Sequence, residues 1–108
     1  MLFRSYSEKM RVLFIGEDSS TAHINNFLWA YHLDTGTLAR ILSLPAGAES
    51  TGLQAIDDLN GFTYIMSNYQ HAGDFSTNIA PALKAQLEPL IDRSKAAIGY
   101  LGGVPGFN

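Results

Sequence analysis

Polar residues stand at several points where the sequence leaves an apolar run, and these residues could do chemistry. They are Glu17, Asp18, Asn25, Asn26, Glu49, Gln70, His71 and Asp74. Most of them lie beside a glycine or another small residue, as is typical of binding loops. Convergent oxygen atoms are the ligands that hard cations such as calcium prefer. The residue types therefore suggest a metal site, provided that the fold brings them together.

Glu17 and Glu49 are the two carboxylates that a simple β topology would bring together. Glu17 follows an apolar run that ends at Ile15, and Glu49 precedes a run that begins at Thr51. If consecutive strands run up and down, the end of the first run and the beginning of the later one can lie at the same end of the sheet. We therefore expect the two carboxylates to approach each other.

A plainer alternative is open for the same residues, and spacing alone favours it. Glu17 and Asp18 then form a solvated turn, Glu49 is a surface charge, and His71 ends a strand. The hydroxyl residues at 19–21 fit a turn better than a nucleophile, because the sequence places no base beside them. The sequence contains no zinc-type His-x-x-x-His spacing, serine-hydrolase elbow, phosphate-binding P-loop or dinucleotide fingerprint.

Length and composition allow one domain over 1–108 and exclude several function classes. A chain of 108 residues can bury about two thirds of its unfolded surface. Seven scattered basic residues against ten acidic ones give a net charge of -3 and no basic stripe. We therefore expect neither nucleic acid nor a membrane as a partner. Because the chain contains no cysteine, it has neither disulfides nor a thiolate metal site.

The elements that would position these residues are mostly strands. Five runs are β-branched, aromatic or alternating in polarity, and they lie at 11–15, 27–33, 37–44, 51–56 and 62–68. Asn60-Gly61 between the last two runs suits a tight hairpin turn. The aromatic run at 27–33 is interpreted as core packing. A last strand can follow at 97–101. The sequence predicts a mainly β, antiparallel meander of about five strands, whose apolar faces would be closed into a barrel, packed on a second sheet or set beside other blades in a propeller.

Both ends of the chain differ in character from this β region. Apolar residues near helical spacing predict one or two short C-terminal helices over 81–95, with a break or kink at Pro89. Residues 1–10 are expected to be a flexible N-terminal extension. They lack the long apolar core and cleavage pattern of a signal peptide, so the location of this chain is not predicted.

An ordered set of short segments resembles the C-terminal part of the PhoX-type alkaline phosphatases. The segments lie at 16–18 (Gly-Glu-Asp), 25–31, 45–52, 60–67, 70–74 and 99–105. At 70–74, Gln-His-Ala-Gly has alanine where the family has proline. Coverage runs from about residue 11 to the end of the chain, and the order of the segments is more specific than any one of them.

The resemblance implies one or two propeller-like blades of a larger β-propeller enzyme that hydrolyses phosphate monoesters with calcium and iron. Members of that family are longer, are periplasmic or secreted, and draw ligands from many blades, including a cysteine that this chain lacks. Glu17 and Glu49 are the implied metal ligands, and Asp18 and His71 are implied near-site residues. The catalytic residues are not identified. We expect the isolated chain to bind metal weakly or not at all, because calcium takes about six to eight oxygen ligands.

A second hypothesis belongs to a different functional class. The chain can be a small non-catalytic β-rich module for binding or self-association, because sheet edges expose backbone groups that pair with another strand. Measuring the activity of a completed enzyme tests the first hypothesis, and measuring the molecular size of the chain tests the second.

Overall fold

The computed structural model describes residues 3–19, 22–75 and 79–107. In this part of the chain, seven antiparallel strands form two sheets, and a short helical segment precedes the last strand. The protein is therefore mainly β, with the consecutive strand order of a meander. No helix within these ranges is long and apolar enough to cross a bilayer.

The first sheet contains four strands in chain order. They are β1 (Phe3–Ser7), β2 (Val12–Gly16), β3 (Phe27–His32) and β4 (Leu38–Ser43). A register shift between Leu28 and Trp29 interrupts the pairing of β3 with β4. Gly36, with φ of 70°, lies in the turn between these two strands, where a side chain would be strained.

The second sheet contains three strands, and its hairpin confirms the predicted turn. They are β5 (Glu49–Leu59), β6 (Phe62–Gln70) and β7 (Ala97–Pro105). Asn60 and Gly61 connect β5 to β6 with φ of 53° and 89°. Positive φ at both central residues characterises the type I′ turn that fits the strand twist.

The helical segment between β6 and β7 is exposed. Helix α1 covers Pro81–Leu87, and a 3₁₀ turn covers Glu88–Leu90. None of these residues is buried. Pro89 lies in the 3₁₀ turn that follows the α-helix, as its missing N–H predicts. The helical structure ends at Leu90, five residues before the expected limit at 95.

The core lies between the two sheets and follows the alternation of each strand. Phe14 of β2, Leu28 of β3 and Ile65 of β6 form its buried centre. Partly buried apolar residues surround them: Met10, Val12, Ala30, Ile41, Leu42, Leu53, Ala55 and Leu101. Burial of these apolar faces holds the two sheets together.

The sheets approach each other most closely along β1 and β5 and leave a cleft on the side of β6 and β7. Ala55 N–H donates to Ser5 Oγ at 3.2 Å, and the Ser7 hydroxyl donates to Asp57. A cleft of about 530 Å³ lies between the sheets and is lined by core residues and by Leu101 and Val104. A smaller cavity of about 280 Å³ lies between β4 and β7. The packing of the sheets is thus tight on one side only.

Strand β1 corrects the expectation of a flexible extension over 1–10. Phe3–Ser7 pairs with β2 along its whole length. The sequence signal was weak because this short strand has few apolar residues. It also bonds to residues that lie 50 positions away in the sequence.

Two further details refine the predictions. The described part of the chain has seven strands, so the predicted meander is present with β1 as an added strand, and β5 is longer than the run at 51–56 because it begins at Glu49 and continues to Leu59. Within the aromatic run of β3, Leu28 is in the core, but Phe27 and Trp29 lie on the opposite face and are only half-buried.

Candidate functional site

Strand β2 ends against β5, and this contact defines one end of the molecule. Ser50 N–H donates to the backbone oxygen of Glu17 at 3.1 Å. A Cβ atom on Gly16 would lie 2.8 Å from Ser50 Oγ and 2.9 Å from Ser50 O, so glycine is required for this approach. Ser50 itself is fully buried, and its hydroxyl lies 3.1 Å from that of Ser67.

Glu17 accepts two hydrogen bonds and lies beside a histidine. Its Oε2 accepts hydrogen bonds from the backbone N–H of Phe27 at 3.0 Å and from Trp29 Nε1 at 3.2 Å. Its Oε1 lies 2.8 Å from His23 Nε2. The Glu17 side chain is 19% exposed, whereas that of His23 is 46% exposed. The loop after β2 therefore presents a fixed carboxylate with a solvent-accessible histidine beside it.

Glu49 has a similar environment on the neighbouring segment. Its Oε1 accepts a hydrogen bond from Gln70 Nε2 and lies 3.5 Å from His71 Nε2. The Glu49 side chain is 16% exposed. His71 has φ of 59°, an uncommon value for a residue with a side chain. Each of the two carboxylates thus has a histidine partner, and we call Glu17, His23, Glu49 and His71 together the carboxylate end.

The segments that carry Glu17 and Glu49 meet through their backbones, whereas the approach of the two carboxylates to each other stays a prediction. The hydrogen bond between Ser50 and Glu17 places the residue after Glu49 directly against Glu17. The two side chains have different partners, since His71 lies beside Glu49 and His23 lies beside Glu17. Asp18 follows Glu17 in the same loop and is half-buried.

The asparagines of the loop before β3 hold neighbouring loops together. Asn26 is buried, accepts a hydrogen bond from Ser19 N–H at 2.9 Å and donates to Ala48 O at 2.8 Å. Asn25 donates to Leu44 O at 3.2 Å. These contacts make the asparagines structural supports of the carboxylate end. The hydroxyl residues at 20 and 21 lie outside the described residues.

His23 and Trp29 belong to the site although sequence reasoning did not select them. Apart from His71, the histidines were weighed only by zinc-type spacing, and the aromatic run was assigned to the core. Arg40 adds to this surface, because its guanidinium lies 4.5 Å from the ring centre of Phe27 and 5.1 Å from that of Trp29. Successive side chains of a β-strand point to opposite faces of the sheet. Assigning Leu28 alone to the core would therefore have placed Phe27 and Trp29 on the outer face.

The carboxylate end alone does not make a complete metal site. Over 3–19, 22–75 and 79–107, no group of three or more histidine, aspartate or glutamate side chains is arranged to hold a metal ion. Comparisons with protein-family models, curated proteins and solved structures found no match to this chain.

Proposed function

We propose that this chain is part of a metal-dependent phosphatase of the PhoX type and is inactive on its own. In this proposal Glu17 and Glu49 are metal ligands in a site that other segments complete. The observation that carries the proposal is the hydrogen bond from Ser50 N–H to Glu17 O at 3.1 Å. It brings together the two segments on which the ordered resemblance to that family places its carboxylate ligands.

The donor chemistry supports hard cations. Carboxylate oxygens suit calcium and also bind iron, the two metals that the resemblance implies. When bound, such ions lower the pKa of coordinated water and neutralise charge on a phosphoryl group. The contribution of this chain is to hold two carboxylates in place. Trp29 and the Phe27 backbone do so for Glu17, and Gln70 does so for Glu49.

The described residues do not fit a whole calcium or iron site. Calcium takes about six to eight oxygen ligands, and this part of the chain holds no cluster of three ligating side chains. The missing ligands must come from other segments, so we derive no catalytic step from this chain. Phosphate monoesters are the proposed substrates of the completed enzyme.

Reconstitution tests this proposal. The chain is mixed with the remaining blades of a PhoX-type phosphatase, and hydrolysis of a generic phosphomonoester is measured with calcium and iron present. We expect activity only in the mixture, and we expect Glu17→Gln and Glu49→Gln to abolish it. Glu88→Gln is the matched control, because Glu88 lies in the exposed 3₁₀ turn. Restored activity that is insensitive to Glu17 and Glu49 would contradict the assignment of the ligands.

A non-catalytic module for β-strand binding or self-association is a second proposal. It is favoured by the open cleft of about 530 Å³ and by the outer edges of β4 and β7, which are unpaired in the described sheets. An exposed sheet edge offers main-chain hydrogen bonds to another strand. A concentration-independent monomer in sedimentation experiments would contradict self-association.

A further inference from the structure

The four edge strands of the described sheets are not equally available to another chain. β1 and β5 cover each other, because Ala55 N–H donates to Ser5 Oγ and the Ser7 hydroxyl donates to Asp57. These contacts use polar groups of both edges. Any strand added to β1 or β5 would have to displace them.

Strand β4 is an edge that carries a charge. Arg40 is exposed, and its guanidinium stacks on Phe27 and Trp29. A charged side chain on an edge strand disfavours pairing with a second molecule, since pairing would restrict or desolvate the charge. β4 is therefore protected against strand addition.

Strand β7 has none of these protections. Its sequence, Ala-Ile-Gly-Tyr-Leu-Gly-Gly-Val-Pro, contains no charged residue, although 16% of the whole chain is charged. Ile98 is 80% exposed and Tyr100 is 66% exposed. The ring of Tyr100 contacts Tyr64 of β6 edge to face, with centroids 5.5 Å apart, which extends the apolar surface onto the sheet. A neutral, apolar edge strand is the kind that pairs with another strand.

We propose that β7 is a self-association edge, at which two copies of this chain pair antiparallel through residues 97–101. The proposal rests on the self-association function given above as the second proposal. With Gly99 on the two-fold axis, Ile98 of each copy lies opposite Tyr100 of the other, and Ala97 lies opposite Leu101. The result is a continuous six-stranded sheet with an isologous contact.

The register follows from burial and from the limits of the strand. Ile98 and Tyr100 lie on the exposed face, whereas Ala97, Gly99 and Leu101 are less exposed. In the proposed register, the exposed residues of both copies lie on one face of the combined sheet and the less exposed residues lie on the other. Aromatic and β-branched side chains form favourable cross-strand pairs. Pairing of β7 with β6 shifts register after Leu101, which ends the regular stretch. Because β7 is neutral, two copies meet there without opposing charges despite the net charge of -3.

Sedimentation of the full chain over a range of concentrations tests the proposal. We expect a monomer–dimer equilibrium that Ile98→Lys weakens on the order of tenfold, because each dimer loses two cross-strand pairs of Ile98 with Tyr100. Leu90→Lys is the matched control, since Leu90 is 79% exposed and lies outside β7. A monomer at every concentration would overturn the proposal, and so would equal dimerisation of the two variants.

Cross-linking tests the register separately. The chain has no cysteine, so Gly99→Cys introduces a single thiol at the proposed axis. A Cβ atom there would lie 3.7 Å from its nearest neighbour, Ser67 O, so the side chain fits. We expect a disulfide-linked dimer on mild oxidation of Gly99→Cys and none with Leu90→Cys. A dimer that Gly99→Cys does not cross-link would overturn the register.

These experiments distinguish a failure of the β7 proposal from a failure of the functions proposed above. A dimer that forms through another surface retains self-association as a function but overturns the role of β7. Reconstituted phosphatase activity depends on Glu17 and Glu49, which lie outside β7, and is measured independently.

Discussion

At the scale of single residues, Glu17 has a structural role besides the proposed one in metal binding. It accepts hydrogen bonds from Phe27 N–H and Trp29 Nε1, so Glu17→Ala leaves two donors without an acceptor. We expect a loss of about 1–3 kcal/mol in the free energy of unfolding. Denaturant unfolding followed by fluorescence measures it directly, because Trp29 is the only tryptophan.

Glu17→Gln serves as the control for this variant. The glutamine keeps an acceptor oxygen for both donors and loses only the charge beside His23. We expect a smaller loss of stability than for Glu17→Ala. Equal losses for the two variants would mean that charge, and not the hydrogen bonds, holds the loop.

The exposed pair of Arg11 and Asp34 predicts a pH dependence. A side-chain hydrogen bond from Arg11 lowers the pKa of the Asp34 carboxyl, and the positive charge of Arg11 adds to this effect. The folded state therefore binds a proton less readily than the unfolded chain. The contribution of this pair is present above the ordinary aspartate pKa of about 3.9 and is lost as the pH falls through the lowered folded-state value.

An NMR titration of the Asp34 carboxyl carbon checks this direction. We expect Arg11→Gln to return the pKa of Asp34 toward its ordinary range. Thermal melts of the wild type and Asp34→Asn should then differ at neutral pH and converge in acid, with a small difference because the pair is exposed. An unchanged Asp34 pKa in Arg11→Gln would contradict the assignment.

At the scale of elements, the close approach of β2 to β5 is the feature that positions the carboxylate end. We expect Gly16→Ala to destabilise the fold by about 1–3 kcal/mol, because its Cβ would lie 2.8 Å from Ser50 Oγ. Adding Ser50→Gly should recover only part of this loss, since Ser50 O stays 2.9 Å away. Thermal melts of both single variants and the double variant measure the coupling, and full additivity would contradict the proposed clash.

Most of the elements could be predicted from local sequence signals, because these strands and turns depend mainly on residues that are close in the sequence. Alternating or apolar runs located β2, β3, β4, β5 and β6, and Asn60-Gly61 located the hairpin turn. Strand β1 was missed because its stability depends on β2, on the hydrogen bond that Ser5 accepts from Ala55 N–H and on the one that Ser7 donates to Asp57. Such tertiary contacts leave little trace in local composition.

The same distinction applies to the candidate site. Glu17 and Glu49 could be selected because they are carboxylates at the ends of apolar runs, and their segments do meet. His23 could not be selected in this way, since its contact with Glu17 depends on the path of the loop that connects β2 to β3. That path is fixed by the hydrogen bond from Ser19 N–H to Asn26 within the loop and by the bonds that Asn25 and Asn26 donate to the segment between β4 and β5.

At the scale of the whole molecule, the structure has a closed side and an open side. Polar contacts join β1 to β5, whereas an apolar cleft of about 530 Å³ opens between the sheets on the side of β6 and β7. The carboxylate end likewise has carboxylates but too few ligands for a complete metal site in the described residues. Both features agree with the proposal made above, in which other segments complete the metal site.

Calorimetric titration of calcium tests the central claim most directly, because it measures binding by Glu17 and Glu49 without depending on catalysis. It compares the isolated chain, the chain reconstituted with the remaining blades, and the reconstituted Glu17→Gln/Glu49→Gln double variant. We predict weak or undetectable binding by the isolated chain, tight binding by the reconstituted protein, and loss of tight binding in the double variant. Equally tight binding by the wild-type and double-variant complexes would contradict the account.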